Sequence, residues 1–288
     1  MNAFAFLPNE IINEVVILAG ERRNFISQER IDHEFLVKLN GLWGEFARMA
    51  TPIMFIVDKF VLRNKGSQEE EINFEEAKNR RISYSEFRMN TNNWELIRQV
   101  APNLCDSIAF FDCSVPSDVL SLIGNRFSKV TWCDWGVRGK IVPFTVVKEA
   151  AKFLKRQLRS KYLRKFVTRS INIRETEFTN LIVAFVKKPT FESLVCMGYL
   201  SPQVFIEADK AWQRRKSFRI EKQWISGKCT LEDAKKLEDY FQVYYQKAIE
   251  KNEWSSAHSY ESSAKKTISM WRMKNSHGFE CSLQFFQV

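Results

Sequence analysis

Apolar positions along this chain follow two periods. Over the first fifty residues they recur every three or four; beyond residue 93 short alternating runs take turns with three-to-four-residue spacing. The opening stretch Phe6-Leu7-Pro8-Asn9-Glu10-Ile11-Ile12-Asn13-Glu14-Val15-Val16 predicts a helix with Ile11, Ile12, Val15, Val16 and Ala19 on one stripe. Pro8 suits its first turn, where a missing N–H costs nothing, and Gly20 is a plausible stop. Residues 21–31 read as a polar connection. Asp32 can cap a second helix whose apolar positions Leu36, Leu39, Trp43, Phe46 and Ala50 also step by three and four. Gly41 and Gly44 weaken that helix by about 1 kcal/mol each relative to alanine. Two helices of this size bury too little surface to stand alone, so they need either the rest of the chain or a partner.

Ile53 to Leu62 is rich in Ile, Val, Met and Phe and predicts one strand. A polar excursion from Arg63 to Arg81, with Gly66, Ser67 and Glu69-Glu70-Glu71, predicts a mobile loop with room for a helical turn. Ser83 to Met89 alternates again and predicts a strand paired with the one before it. From there strands and helices are expected in alternation. Strands are expected over 107–113, 129–133, 163–167, 191–196 and 218–225. Helices are expected over 117–125, 143–159 and 174–187, then from Ser201-Pro202, then after Thr230. The last of these has Leu231, Ala234, Leu237, Phe241, Tyr244 and Ala248 as its inward stripe. Thr267–Met273 and Phe279–Phe286, turned by Asn275-Ser276-His277-Gly278, predict a closing hairpin.

Strand–helix alternation implies parallel strands with right-handed crossovers. A curved, repeat-like sheet with helices on one side satisfies it, and so does a doubly wound sheet with helices on both. Irregular steps with similar unit content favour the first. The expected fold is therefore α/β: an N-terminal helical segment (1–52), a two-strand connecting region with a mobile loop (53–92), and a body of irregular strand–helix repeats (93–288). That body is a curved, leucine-rich-repeat-like parallel sheet ending in a β-hairpin, although the units do not match a strict leucine-rich consensus.

Composition narrows the class. The chain has 288 residues, 45% hydrophobic and 27% charged, the balance of a globular protein. With 10 Gly and 7 Pro, long flexible linkers are excluded. The six cysteines form no CxxC pair, and no basic head with a long apolar run opens the chain. Reduced thiols in the cytoplasm or nucleus are the expectation. No apolar run approaches the ~20 residues that span a bilayer.

Candidate chemistry is sparse. His33, His258 and His277 share no metal-ligand spacing with each other or with the cysteines, so no metal and no cofactor is expected. No GxSxG, HExxH or GxGxxG occurs. Gly227-Lys228-Cys229-Thr230 resembles the end of a phosphate loop, but Lys222 stands where the first glycine belongs. Asp112, Asp118 and Asp134 are expected at strand ends, where α/β enzymes often keep acids, and where turns and caps keep them too. With no nucleophile and no partner base, the chain reads as a non-enzyme.

The net charge of +10 changes the picture because it is concentrated. Lys148 to Lys188 contains twelve Lys/Arg and three Glu. Lys148, Lys152, Lys155 and Arg159 step along one helix side, opposite Phe144, Val147, Ala151, Leu154 and Leu158. Lys161, Arg164 and Lys165 extend the charge, with Tyr162 and Phe166 interleaved. A cationic outer helix side explains the first set with no ligand at all. The whole set is equally a surface for an anionic partner or nucleic acid.

The order Leu-Pro-x-Glu-Ile-Ile-x-x-Val-Val, a polar link, and a helix carrying Leu-x-x-Leu-x-x-x-Trp is similar to an F-box. That short helical motif binds the Skp-family adaptor of cullin–RING ubiquitin ligases. The stretch Lys-Leu-Asn-Gly-Leu-Trp-Gly-Glu-Phe-Ala resembles the divergent, nematode-expanded group of F-box proteins, and so does the texture of the body. The resemblance implies that Leu7, Pro8, Ile11, Ile12 and Val15 carry one half of an adaptor contact. It implies that Leu36, Leu39, Trp43 and Phe46 carry the other, and that the body presents a surface to a target protein. Beside it stands the other reading, a basic α/β protein that binds nucleic acid or an anionic partner.

Overall fold

The computed structural model describes residues 43, 53–56, 58–62, 70–88, 93–111, 113–133, 148–169, 176–214, 222–241, 265–272 and 278–286. Of the segment read as adaptor-binding, Trp43 is described, helical and half-buried. Leu7, Pro8, Ile11, Ile12, Val15, Leu36, Leu39 and Phe46 lie outside the described residues.

The fold is α/β. Eleven strands form one sheet: β1 (Ile53–Ile56), β2 (Lys59–Leu62), β3 (Glu70–Ile72), β4 (Ile82–Arg88), β5 (Leu104–Phe111), β6 (Phe127–Cys133), β7 (Lys165–Thr168), β8 (Ser193–Tyr199), β9 (Lys222–Thr230), β10 (Lys265–Arg272) and β11 (Gly278–Phe286). The helices are α1 (Phe74–Ala77), α2 (Trp94–Val100), α3 (Ser117–Leu122), α4 (Lys148–Arg159), α5 (Thr176–Val186), α6 (Pro202–Gln213) and α7 (Leu231–Phe241).

Strand order across the sheet is β10-β11-β9-β8-β7-β6-β5-β4-β1-β2-β3. The run from β1 through β4 to β9 is parallel throughout, and β2, β3, β10 and β11 join antiparallel at the two ends. Within the parallel run the order never reverses. A doubly wound sheet needs such a reversal to send helices to its second face. Here the helices form one row, and each helix from α2 to α7 packs against the next.

Alternation along the strands explains why one face is dry. Phe55, Phe87, Phe110 and Trp132 come from neighbouring strands and point toward the helix side. Their rings are 5.6, 5.3 and 4.8 Å apart in that order, and Phe153 of α4 closes on Phe110 at 5.6 Å. Leu194, Ile225 and Leu283 continue that layer, fully buried. The opposite face carries Tyr84, Lys129, Lys165, Met197 and Trp224. Of these, Met197 and Trp224 are among the most exposed large apolar side chains described.

Several sequence expectations need correcting. The single strand over 53–62 is two, β1 and β2. Ile56 pairs with Lys59, and Asp58 sits at φ 68° in the connection. The turn needs a left-handed residue, which an aspartate tolerates better than most. The polar excursion contains β3 and α1, the latter capped by Asn73, whose side chain accepts from the Glu76 amide at 2.9 Å. Leu231 is not inward: it is 53% exposed in the first turn of α7, while Ala234, Leu237 and Phe241 are buried. Tyr244 and Ala248 lie outside the described residues. All six cysteines are buried thiols, none of them in a disulfide.

The turns that lead into the strands are tied sideways. Amides of Ile53, Asp106, Arg164, Glu192 and Trp224 donate to carbonyls of Arg81, Arg126, Ser128, Arg164 and Glu192 respectively, at 2.8–3.3 Å. Each unit thus hands its hydrogen bonds to its neighbour, as in repeat proteins.

Candidate functional site

Helix α4 decides where the basic side chains go. Its apolar side, Ala151, Leu154 and Leu158 with Phe153, is buried in the helix–sheet layer. Lys152 and Arg159 are therefore driven outward and exposed, and Lys155 is half-buried at the margin. The helix ends at Arg159, and the chain turns at Ser160, which is 5% exposed. The Ser160 hydroxyl donates to the Asn125 carbonyl at 2.5 Å and accepts from the Tyr162 amide at 3.2 Å. This clamp fixes the 160–162 turn against the start of β6.

Helix side and turn together line an open surface concavity of about 630 Å³. Its walls carry Lys152, Lys155, Arg156, Arg159 and Lys161, with Asn125, Ser160 and Tyr162 completing the lining. Among the described residues, five cations and no carboxylate line this concavity. At its margin Glu177 of α5 accepts from the Lys155 ammonium at 2.6 Å. Lys161 holds its ammonium 5.1 Å from the centre of the Tyr162 ring, which is 41% exposed. Among the described residues Arg159 and Lys161 have no carboxylate partner.

Two helix ends near the cavity would oppose an anion, since a helix C-terminus carries partial negative charge. Both are neutralised internally. The Arg156 guanidinium donates to the carbonyls of Leu120 and Ile123 at 2.7 and 2.6 Å, closing α3. The Lys188 ammonium donates to the carbonyls of Leu158 and Ser160 at 2.6 Å, closing α4. Burial holds both groups below their usual basicity. The Arg156 Nε is buried with no hydrogen-bond partner.

Of the basic set read from the sequence, Lys152, Lys155, Arg159 and Lys161 meet in the cavity. Lys148 begins α4, and its side chain lies outside the described residues. Arg164 and Lys165 do not join them. They sit at the entry to β7, where Glu192 accepts from Arg164 at 3.5 Å and pairs with Lys165 at 3.1 Å. Phe166 is fully buried and takes no part in any surface. Arg156 escaped the sequence reading. It lies four residues after Lys152 and three before Arg159, so spacing alone did not set it apart, and its carbonyl partners lie more than thirty residues away.

Of the acids expected at strand ends, one is described. Asp118 lies in the first turn of α3, not at a strand end, and accepts from Arg98 Nε at 2.5 Å. That pairing draws its carboxyl below the usual range. Asp112, Asp134 and the three histidines lie outside the described residues. Gly227–Thr230 runs along β9, and Thr230 Oγ1 caps α7 by accepting from the Asp233 amide at 3.2 Å. Among the described residues no group of three His, Cys, Asp or Glu side chains could hold a metal ion. No helix among them is long and apolar enough to cross a membrane. No protein-family model, curated protein or solved structure matches the chain.

Proposed function

We propose that this protein is a non-enzymatic recognition scaffold, and in particular the substrate receptor of an SCF-type cullin–RING ubiquitin ligase. The N-terminal helices would dock a Skp-family adaptor through Leu7, Pro8, Ile11, Ile12, Val15, Leu36, Leu39, Trp43 and Phe46. The body, a curved, leucine-rich-repeat-like sheet, would hold the target, in the cytoplasm or nucleus. One observation carries the reading. The strand order never reverses, so the helices line one face and the other is left for a partner. The F-box-like order of residues 6–50 supplies the adaptor half.

The test is co-purification of the full chain with a Skp-family adaptor, beside the variant Pro8→Ala, Ile12→Asp, Trp43→Ala. The reading expects a complex with the full chain and none with a variant that still folds. Equal recovery with both, or with neither, removes it.

The basic cavity favours a second reading, that the body engages an anionic partner. Its concentrated positive field attracts such a partner at the encounter stage and loses strength with salt.

A further inference from the structure

We propose that the cavity at the end of α4 is a phosphate site, taking one phosphomonoester dianion. The inference rests on the second reading above, that the body engages an anionic partner, and names the chemistry of that anion. Three observations lead to it. Among the described residues, five cations line one surface concavity of about 630 Å³. The basic residues that would extend it into a track, Arg164 and Lys165, are turned away and paired with Glu192. A polyanion such as single-stranded nucleic acid needs a groove that follows its backbone; a discrete dianion needs only a pocket. Lastly, Lys188 and Arg156 cancel the helix ends that would repel an anion there.

The donors suit phosphate. Arg159 offers a planar fork that can meet two phosphate oxygens at once. Lys152 and Lys161 add point charges from the helix and from the turn beyond it. Lys155 is shared with Glu177, which leaves it a positioning cation at the rim. A carboxylate would use half of this charge. A phosphomonoester near its second ionisation at pH ~6 carries close to two negative charges at neutral pH.

The experiment is titration calorimetry on the full chain at constant ionic strength. The probes are inorganic phosphate, a capped peptide containing phosphoserine, the same peptide unphosphorylated, an acidic polyglutamate peptide, and a single-stranded oligonucleotide. The variants are Arg159→Gln with Lys161→Gln, and Lys222→Gln as a distant basic control, each checked for folding by circular dichroism. The inference expects phosphate and phosphopeptide to bind, and the double variant to lose at least tenfold in affinity. It expects Lys222→Gln to lose less than twofold. Affinity should fall several-fold between pH 7.5 and pH 5.5 as the dianion takes up a proton. Phosphopeptide binding well above that of inorganic phosphate identifies a protein-borne phosphate; equal affinity identifies a free one.

If polyglutamate binds at the cavity and phosphate does not, the inference falls and the anionic-partner reading stands. If no anion binds, or binding is indifferent to Arg159 and Lys161, both fall. If the oligonucleotide binds tightest, with a steep salt slope, the site is a nucleic-acid surface and the phosphate pocket is wrong.

Discussion

At the scale of the residue, the tightest constraint is Gly227 in β9. A Cβ there would stand 2.7 Å from Leu200 Cβ and 3.0 Å from its Cδ2. Leu200 is 1% exposed, and rotating its side chain does not move its own Cβ, so the backbones of β8 and β9 would have to part. Gly227→Ala is expected to destabilise the fold by about 1–3 kcal/mol, the usual cost of overpacking, read as a lower urea midpoint. A neighbouring residue makes stability depend on alkali. Burial pushes the Cys196 thiol from 9.0 up to about 12. The unfolded thiol ionises near 9 while the folded one keeps its proton, so the native state binds the extra proton between those values. That contribution is complete below pH 9 and is lost as pH rises toward 12. Cys196→Ala should therefore decline less steeply than the parent across this window, by up to about 1.4 kcal/mol per pH unit. Parallel slopes from urea unfolding at several pH values would show that Cys196 does not carry the effect.

At the scale of the element, the C-terminal ends of α3 and α4 are closed by cations from the following unit. Lys188 donates to the carbonyls of Leu158 and Ser160 at the end of α4. Lys188→Met keeps the apolar stem and removes the donor, leaving half-buried carbonyls unsatisfied. A loss of about 1–3 kcal/mol is expected, with faster hydrogen exchange in the last turn of α4. Unchanged exchange there would mean that water replaces the ammonium without cost. Such long-range closures explain what the sequence could and could not show. Strand order from β4 to β11 was legible, because alternation is a local property, while helix α2 between β4 and β5 was not singled out. The break at Asp58 was not, since an apolar run continues through it and no glycine marks the turn. The cationic side of α4 was legible from its spacing. The parting of Arg164 and Lys165 from Lys161 was not. It depends on the chain turning at Ser160 and on Glu192 arriving from the next unit.

At the scale of the whole molecule, an open sheet of sequential units has two edges to protect. Unpaired strand edges are templates for association, and repeat proteins meet this with atypical terminal units. The C-terminal hairpin fits that role. β11 runs antiparallel to β9 along nine paired residues, from Gly278 opposite Thr230 to Phe286 opposite Lys222, and β10 covers β11 in turn. It also finishes the core, because Cys281, Leu283 and Phe285 are fully buried and Phe285 stacks on Trp212 at 4.9 Å. Two graded changes separate these contributions. Phe285→Ala removes packing and keeps the edge covered, so it should cost about 3–5 kcal/mol while the protein stays monodisperse. Deleting residues 265–288 removes the cover as well, exposing the β9 backbone beside the apolar layer from Ile225 to Cys229. Light scattering should then show self-association at concentrations where Phe285→Ala shows none. If the deletion variant stays folded and monodisperse, the hairpin is an appendage, and protection of the β9 edge must come from elsewhere in the chain. If both variants associate alike, stability rather than edge protection governs solubility, because losing one buried ring would then expose as much sticky surface as losing two strands.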